Sequence, residues 1–176
     1  MAILGCGGLG LNAIAIARAL GFKNIIAVDV DDKKLTAAHE MGAKQVLNSQ
    51  DEEAVSKLQN LANNKLMGVL DTFGGSATAQ IAVRALAKSG RYLIVGQAGG
   101  DFNMPQVWLP QKPMTVRGSH VGNSPQLRKI IDMVRSGKIK QMPIDRRPLS
   151  EINQAVHDLE NGNVTGRVVF QPEEND

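Results

Sequence analysis

The sequence of 176 residues contains a single cysteine, Cys6, and aromatic side chains make up only 3% of the chain. One cysteine permits neither an internal disulfide nor a cysteine-rich metal site. Few aromatic side chains are present to stack on nucleic acid bases. The net charge of +3 is small, and the Lys and Arg residues are interleaved with acids. We therefore expect no nucleic acid partner.

Long apolar runs are also missing from the chain. No run approaches the ~20 apolar residues that a membrane-spanning helix needs, so no membrane association is expected. The N-terminus has no basic segment ahead of an apolar one, which predicts no secretory signal. Together with the single cysteine, this makes a cytoplasmic location the expectation. With 43% hydrophobic and 21% charged residues, the composition is typical of a globular protein.

Short apolar segments alternate with helix-like segments through residues 1–121. The predicted strands are Ala2–Leu4, Ile25–Asp29, Gln45–Leu47, Val69–Phe73, Arg91–Val95 and Thr115–Arg117. The predicted helices lie near 10–20, 32–41, 52–63 and 76–88, with Asp31 and Ser76 at N-cap positions. Continuously apolar strands are typical of a parallel sheet that is covered on both faces. We therefore predict the α/β class, with a Rossmann doubly wound, six-stranded parallel sheet and helices on both faces.

The pattern changes in the last third of the chain. The predicted elements there are a helix from Ser124 to about Ser136, an extended stretch Met142–Pro148, a helix from Ser150 to about Glu160 and a strand Gly166–Phe170. We interpret 1–121 as a Rossmann domain and 122–176 as a C-terminal helix and strand extension. A doubly wound sheet places its first strand at the centre, and this chain begins almost inside that strand. We therefore expect it to be part of a longer protein.

The motif G-x-G-x-x-G occurs at Gly5, Gly7 and Gly10, directly after the first strand and at the start of the first helix. The first glycine permits the tight turn, the second lets a pyrophosphate approach the backbone, and the third lets the helix pack on the strand. Asp29 ends the second strand, 19 residues after Gly10. An acid at this spacing binds an adenosine ribose and disfavours a 2′-phosphate. The pattern predicts NAD as the cofactor.

This chain lacks the residues that other classes of nucleotide-dependent protein require. A short-chain dehydrogenase needs Tyr-x-x-x-Lys, but the only tyrosine, Tyr92, is followed four residues later by Gly96. The chain contains no G-x-x-x-x-G-K-[ST] phosphate loop. None of the three histidines is paired with an acid as in a 2-hydroxyacid dehydrogenase.

Motifs in family order over nearly the whole chain closely resemble those of the medium-chain, zinc-dependent alcohol dehydrogenases. They are Gly5-Cys6-Gly7-Gly8-Leu9-Gly10, Val28-Asp29-Val30-Asp31-Asp32-Lys33-Lys34-Leu35, Met41-Gly42-Ala43, Leu70-Asp71-Thr72-Phe73-Gly74, Gly90-Arg91-Tyr92-Leu93-Ile94-Val95-Gly96, Arg117-Gly118-Ser119 and Gly166-Arg167-Val168-Val169. The resemblance implies hydride transfer between NAD and a small alcohol, polyol or carbonyl substrate.

The resemblance also implies a role for individual residues at the cofactor. Within the glycine turn, Gly7, Gly8 and Leu9 would lie against the pyrophosphate, to which Arg167 would return. The remaining implied contacts are Asp29 and Lys34 with the adenosine ribose, Phe73 and Gly74 at the adenosine end, Gly96 near the nicotinamide ribose, and main-chain groups of Val95, Ser119 and Val121 with the carboxamide.

The sequence departs from the family in its metal ligands. The family holds its catalytic zinc with Cys, His and a further Cys or acid, all before the first Rossmann strand, and none of these is present here. The resemblance therefore implies that zinc belongs to the intact enzyme and is not bound by this chain. It implies that this chain is the coenzyme-binding half and is inactive alone. Residues 122–176 would pack on the catalytic half.

Family members dimerise by joining sheet edges, so the resemblance implies a homodimer through edge strand 115–117. Two alternatives remain at this stage. A zinc-free, quinone-type medium-chain reductase would share the fold, although such enzymes usually prefer NADPH, which Asp29 disfavours. A non-catalytic Rossmann module that binds a nucleotide is the other.

Overall fold

A computed structural model describes residues 1–172. Six strands form one parallel sheet: β1 (Ala2–Leu4), β2 (Ile26–Asp29), β3 (Gln45–Asn48), β4 (Gly68–Asp71), β5 (Arg91–Ile94) and β6 (Thr115–Gly118). The connecting helices are α1 (Gly8–Ala19), α2 (Asp32–Glu40), α3 (Ala54–Leu61), α4 (Ser76–Ala85) and the short α5 (Trp108–Gln111). The strand order is β3-β2-β1-β4-β5-β6. The predicted Rossmann fold is confirmed.

The sheet separates two apolar layers. In β1, Ala2 and Leu4 belong to a layer formed with α3 and α4, whereas Ile3 belongs to the opposite layer formed with α1 and α2. This alternation follows from the two-residue period of a strand. All three side chains are fully buried, which explains why the strand reads as continuously apolar.

The order in which strands are added to the sheet reverses between β1 and β4, while all six strands remain parallel. From β1 the sheet is built outward to β3 on one side and from β4 to β6 on the other. At such a point the two connections leave on opposite faces, and a crevice opens at the carboxyl ends of the strands. The turns that follow β1, β2 and β4 therefore lie around one crevice.

Several predicted boundaries and one predicted cap were wrong. The fourth strand ends at Asp71 rather than Phe73, because its carboxylate accepts hydrogen bonds from the amides of Phe73 and Gly74 and turns the chain. Helix α4 ends at Ala85, before the predicted residue 88. The N-cap of α4 is Gly75, not Ser76, whose hydroxyl donates to the carbonyl of Asp101 instead. Helix α5 was not predicted.

The C-terminal segment adds two α-helices and a second, two-stranded sheet. It contains α6 (Ser124–Arg135), β7 (Ile144–Pro148), a 3₁₀ turn (Leu149–Glu151), α7 (Ile152–Glu160) and β8 (Arg167–Gln171). Strands β7 and β8 pair in parallel as a separate two-stranded sheet, which agrees with the predicted extension. The last four residues of the predicted extension, 173–176, lie outside the described residues.

Asp71 is the one charged residue that is fully buried within residues 1–172. Its Oδ2 accepts a hydrogen bond of 2.7 Å from the hydroxyl of Tyr92. Burial, reinforced by this carboxylate, raises the pKa of Tyr92 well above its ordinary value. The pair therefore joins β4 to β5 through a neutral phenol and a buried acid.

None of the helices found in residues 1–172 combines the length and the apolar character needed to cross a bilayer.

Replacing Tyr92 with Phe keeps the ring but removes the donor to Asp71. We expect a loss of about 1.5–3 kcal/mol in the free energy of unfolding, since a hydrogen bond to a charged group is lost inside the protein. Urea titration of both proteins at pH 7 measures it. Equal stabilities would contradict the assigned pair.

The raised pKa of Tyr92 also gives this difference a pH dependence. Below the ordinary tyrosine value near 10 the stabilisation is fully present, since both states hold the proton. Above about pH 10 the tyrosine loses its proton only in the unfolded state. Each further pH unit therefore lowers the free energy of unfolding of the unmodified protein, relative to Tyr92→Phe, by about 1.4 kcal/mol. Tyr92→Phe, which lacks the titrating group, is the reference.

Candidate functional site

A glycine turn links β1 to α1 at the crevice. Gly5 has φ +84°, a conformation that favours glycine. A Cβ on Gly10 would collide with the carbonyl oxygen of Gly5, so α1 packs against the turn at backbone distance. Gly7 is the N-cap of α1 and no side chain caps it. The first amides of the helix are therefore free to bind an anion, which the helix dipole also attracts.

Gly7 and Gly8 differ in the space around their Cα atoms. Around Gly7, nothing lies within 4 Å of a Cβ built on the backbone. On Gly8, a Cβ would lie 2.8 Å from Cδ and Cζ of Arg167, the first residue of β8. The guanidinium of Arg167 therefore sits over the start of α1 beside open space. An anion in that space would contact amides below and a cation beside it.

Asp29 occupies the carboxyl end of β2, across the crevice from the turn. Its Oδ2 accepts the amide of Cys6 at 2.6 Å, and its Oδ1 accepts the amides of Val30 and Asp31 at 2.8 and 3.1 Å. A carboxylate has about four lone-pair sites. Three are used, so the half-buried Asp29 retains one acceptor site for a ligand hydroxyl while it holds the glycine turn.

Cys6 is buried behind the turn, where its thiol donates to the carbonyl of Val28. Burial, and then the negative charge of Asp29, raise the pKa of Cys6 to about 12. The thiol therefore stays protonated at neutral pH, a state unsuited to metal binding or nucleophilic attack. Among residues 1–172 no group of three or more His, Cys, Asp or Glu side chains is placed to hold a metal ion.

The turn, Asp29 and the start of β8 border one cleft of about 530 Å³. Nine of the predicted site residues line it: Gly5, Gly7, Gly8, Leu9, Gly10, Asp29, Lys34, Phe73 and Arg167. The structure adds residues that the sequence analysis did not assign, which are Leu4, Val28, Val30, Ser49, Thr72, Ala77, Thr78, Ile81 and Gly162. The exposed ring of Phe73 and the apolar members line the same cleft, which offers an apolar surface suited to a planar base.

The other predicted site residues lie outside this cleft, after β4, β5 and β6. Gly74 and Gly96 touch through their backbones, since a Cβ on either would collide with the other turn. The amide of Ser119 donates to the carbonyl of Ile94 at 2.9 Å, and Val121 is 81% exposed. These residues lie at the same carboxyl edge of the sheet as the cleft, on the side toward β6.

Thr72 is the clearest residue that sequence reasoning missed. Its hydroxyl lies 3.0 and 2.9 Å from the carbonyls of Leu4 and Gly5, to which it donates. It therefore ties β4 to the glycine turn across the reversal point of the sheet. The signal was a polar pair, Asp71 and Thr72, within the predicted strand Val69–Phe73.

The fold and the cleft define a dinucleotide-binding Rossmann domain. Residues 8–136 match the profile of the zinc-binding dehydrogenase family. The chain belongs to this family and has the fold of its coenzyme-binding half.

Similar proteins agree with this assignment. The chain is 35% identical to the "NAD-dependent alcohol dehydrogenase" of Sulfurisphaera tokodaii over 94% of its own length and 48% of that protein. It superposes on the crystal structure of the alcohol dehydrogenase from Aeropyrum pernix with a TM-score of 0.91 and 31% identity, covering 97% of this chain and 49% of that one. For benzyl alcohol dehydrogenase from Acinetobacter calcoaceticus the TM-score is 0.86 at 26% identity, covering 97% of this chain and 49% of that one. The chain thus spans about half the length of the relatives it matches.

The two glycines with opposite surroundings give a stability test. Gly10→Ala should lower the free energy of unfolding by about 1–3 kcal/mol, because the new Cβ meets the Gly5 carbonyl. Gly7→Ala should cost less than about 1 kcal/mol, since its Cβ enters open space and only the N-cap preference is lost. Urea unfolding of both variants measures this, and a larger loss for Gly7→Ala would contradict the described turn.

Proposed function

We propose that this chain is the NAD-binding domain of a zinc-type, NAD-dependent alcohol dehydrogenase. The observation that carries the proposal is the uncapped start of α1 at Gly7, which faces Asp29 across one cleft. Free amides suit a diphosphate, and the acceptor site left on Asp29 suits a hydroxyl of a ribose. The S. tokodaii relative, whose name states NAD dependence, supports it.

In the proposed complex, the pyrophosphate lies on the amides of Gly7, Gly8 and Leu9, and Arg167 adds a positive charge. Asp29 accepts from the adenosine ribose, with Lys34 beside it. Phe73 and Gly74 flank the adenosine end, and Gly96 lies near the nicotinamide ribose. Val95, Ser119 and Val121 offer main-chain groups to the carboxamide.

The charge of Asp29 favours NAD over NADP. A 2′-phosphate would be held ~4 Å from this carboxylate, and two unit charges at that distance repel by about 4 kcal/mol at an effective dielectric constant of ~20. This corresponds to nearly three powers of ten in affinity. The zinc-free quinone-type alternative, which usually uses NADPH, is disfavoured for the same reason. The match of residues 8–136 to the zinc-binding dehydrogenase profile also supports the zinc-type assignment.

In the whole enzyme the proposed reaction is the oxidation of a small alcohol or polyol to a carbonyl compound, or its reverse. When bound, the nicotinamide supplies a hydride acceptor for the hydrogen on the alcohol carbon. This chain binds and orients that cofactor. Residues 1–172 provide no ligand set for zinc, so no step of the reaction is assigned to a metal held here.

Residues 1–121 are proposed to form the Rossmann domain. Residues 122–176 are proposed to form a C-terminal segment that packs on the catalytic half of the enzyme. Its helices carry apolar side chains in solvent: Val134 in α6 is 53% exposed and Leu159 in α7 is 65% exposed. Apolar patches of this kind mark interaction surfaces. A cytoplasmic location is part of the same proposal.

Cofactor preference tests the proposal directly. Calorimetric titration of the 176-residue chain should show NADH bound at least tenfold more tightly than NADPH, because the Asp29 carboxylate repels the 2′-phosphate. Asp29→Asn should reduce that ratio at least about tenfold. Asp32→Asn is the matched control, since it removes one negative charge from a residue that does not line the cleft. Asp32 accepts a hydrogen bond from the side chain of Asn48. Tighter binding of NADPH by the unmodified chain would refute the assignment.

We also propose a homodimer through β6, which lies at one edge of the sheet. The amides of Thr115 and Ser119 donate inward, to the carbonyls of Gly90 and Ile94. Because amides alternate in direction along a strand, the amide of Val116 points to the free edge. An unpaired edge of this kind can pair with a second copy.

Val116→Pro should therefore convert a dimer into a folded monomer, since proline removes an outward donor only. Val46→Pro makes the same change at the other edge of the sheet, in β3, and should stay dimeric. Light scattering at high protein concentration gives the masses. A monomeric unmodified chain, or dissociation by Val46→Pro alone, would count against the β6 interface.

A further inference from the structure

Asp71 accepts hydrogen bonds from the backbone of two turns at the carboxyl edge of the sheet. Its Oδ1 accepts the amides of Phe73 and Gly74 at 3.0 and 2.7 Å. Its main-chain oxygen accepts the amides of Val95 and Gly96 at 2.8 and 3.1 Å. One residue therefore anchors both the turn after β4 and the turn after β5.

The two turns also hold each other. The amide of Ala98 donates to the carbonyl of Phe73 at 3.0 Å, and the amide of Gly99 donates to the carbonyl of Gly74 at 3.1 Å. Gly74 has φ +72° and leaves no space for a side chain against Gly96. A shift of the first turn is therefore transmitted to the second at backbone distance.

The orientation of the Asp71 carboxylate is set from within the core. The hydroxyl of Tyr92 donates to Oδ2, so Oδ1 is left for the two amides of the turn. Asp71 is fully buried and Tyr92 is 1% exposed. Neither side chain lines the cleft that contains the glycine turn. Any effect of this pair on a ligand must pass through the two turns.

We propose that Asp71 is a positioning residue for the nicotinamide end of the cofactor site. Its carboxylate, oriented by Tyr92, fixes the turn after β4 and through it the segment that carries Val95 and Gly96. This inference rests on the proposed function, which places the nicotinamide and its ribose at those residues. The neighbouring Thr72 acts at the other end, because its hydroxyl holds the glycine turn under the pyrophosphate.

Two ligands separate these roles. ADP-ribose carries the pyrophosphate and both riboses but lacks the nicotinamide. Asp71→Asn keeps the shape but loses the charge-assisted bonds to Phe73 and Gly74, which are about twice as strong as neutral ones. We expect calorimetry on the 176-residue chain to show NADH binding weakened about 5- to 20-fold and ADP-ribose binding weakened by a smaller factor, because ADP-ribose keeps the contacts with Phe73, Gly74 and Gly96 but lacks the carboxamide that Val95 would bind. Thr72→Val should weaken both ligands by a similar factor.

Tyr92→Phe is the second test variant, since it retains both turn amides but frees the carboxylate to rotate. It should also lose more affinity for NADH than for ADP-ribose, by a smaller factor than Asp71→Asn. If Asp71→Asn does not fold, this variant tests the positioning role. Equal weakening of both ligands, or a lower melting temperature with both affinities unchanged, overturns the positioning role. An unmodified chain that binds neither NADH nor ADP-ribose overturns the proposed function itself.

Discussion

The backbone contact between Gly10 and the carbonyl of Gly5 is the constraint on which the rest of the site depends. Because α1 must start against β1 without an intervening side chain, its first amides emerge at the reversal point of the sheet, beside the end of β4. The hydrogen bond that Thr72 donates to the turn and the one that Asp29 accepts from the amide of Cys6 hold this arrangement from two sides. An anion site is thus prepared by packing before any ligand binds.

Asp29 serves two purposes with one carboxylate. Three backbone amides orient it, and one of them, from Cys6, ties it to the glycine turn. One acceptor site of this cleft-lining carboxylate remains. The residue that selects the ribose is therefore coupled to the surface that receives the diphosphate. A substitution meant only to change cofactor preference would also loosen the turn, which is the reason for testing Asn rather than a smaller side chain at this position.

The sequence predicted the sheet well because burial on both faces makes its strands continuously apolar, as in β1 and β2. Boundaries were less accurate where a side chain redirects the backbone. The end of β4 is an example, since Asp71 turns the chain two residues before the predicted strand end at Phe73. Helix α5 has only four residues and carries no helical periodicity to detect.

The candidate site was predictable where spacing along the chain encodes it, as for the glycine turn and Asp29. The pairing of Asp71 with Tyr92 was not, because 21 positions separate them and only the register of β4 against β5 brings them together. The placement of Arg167 over Gly8 depends on how the β7–β8 unit lies against α1. Local sequence carries no signal for either contact, although the family motifs pointed to Arg167.

The most direct measurement is a crystal structure of the chain with NAD bound. The account predicts that the diphosphate contacts the main-chain nitrogens of Gly7, Gly8 and Leu9, and that a carboxylate oxygen of Asp29 lies within hydrogen-bond distance of the adenosine ribose hydroxyls. A dinucleotide bound elsewhere, or one whose ribose leaves Asp29 without a contact, would contradict it.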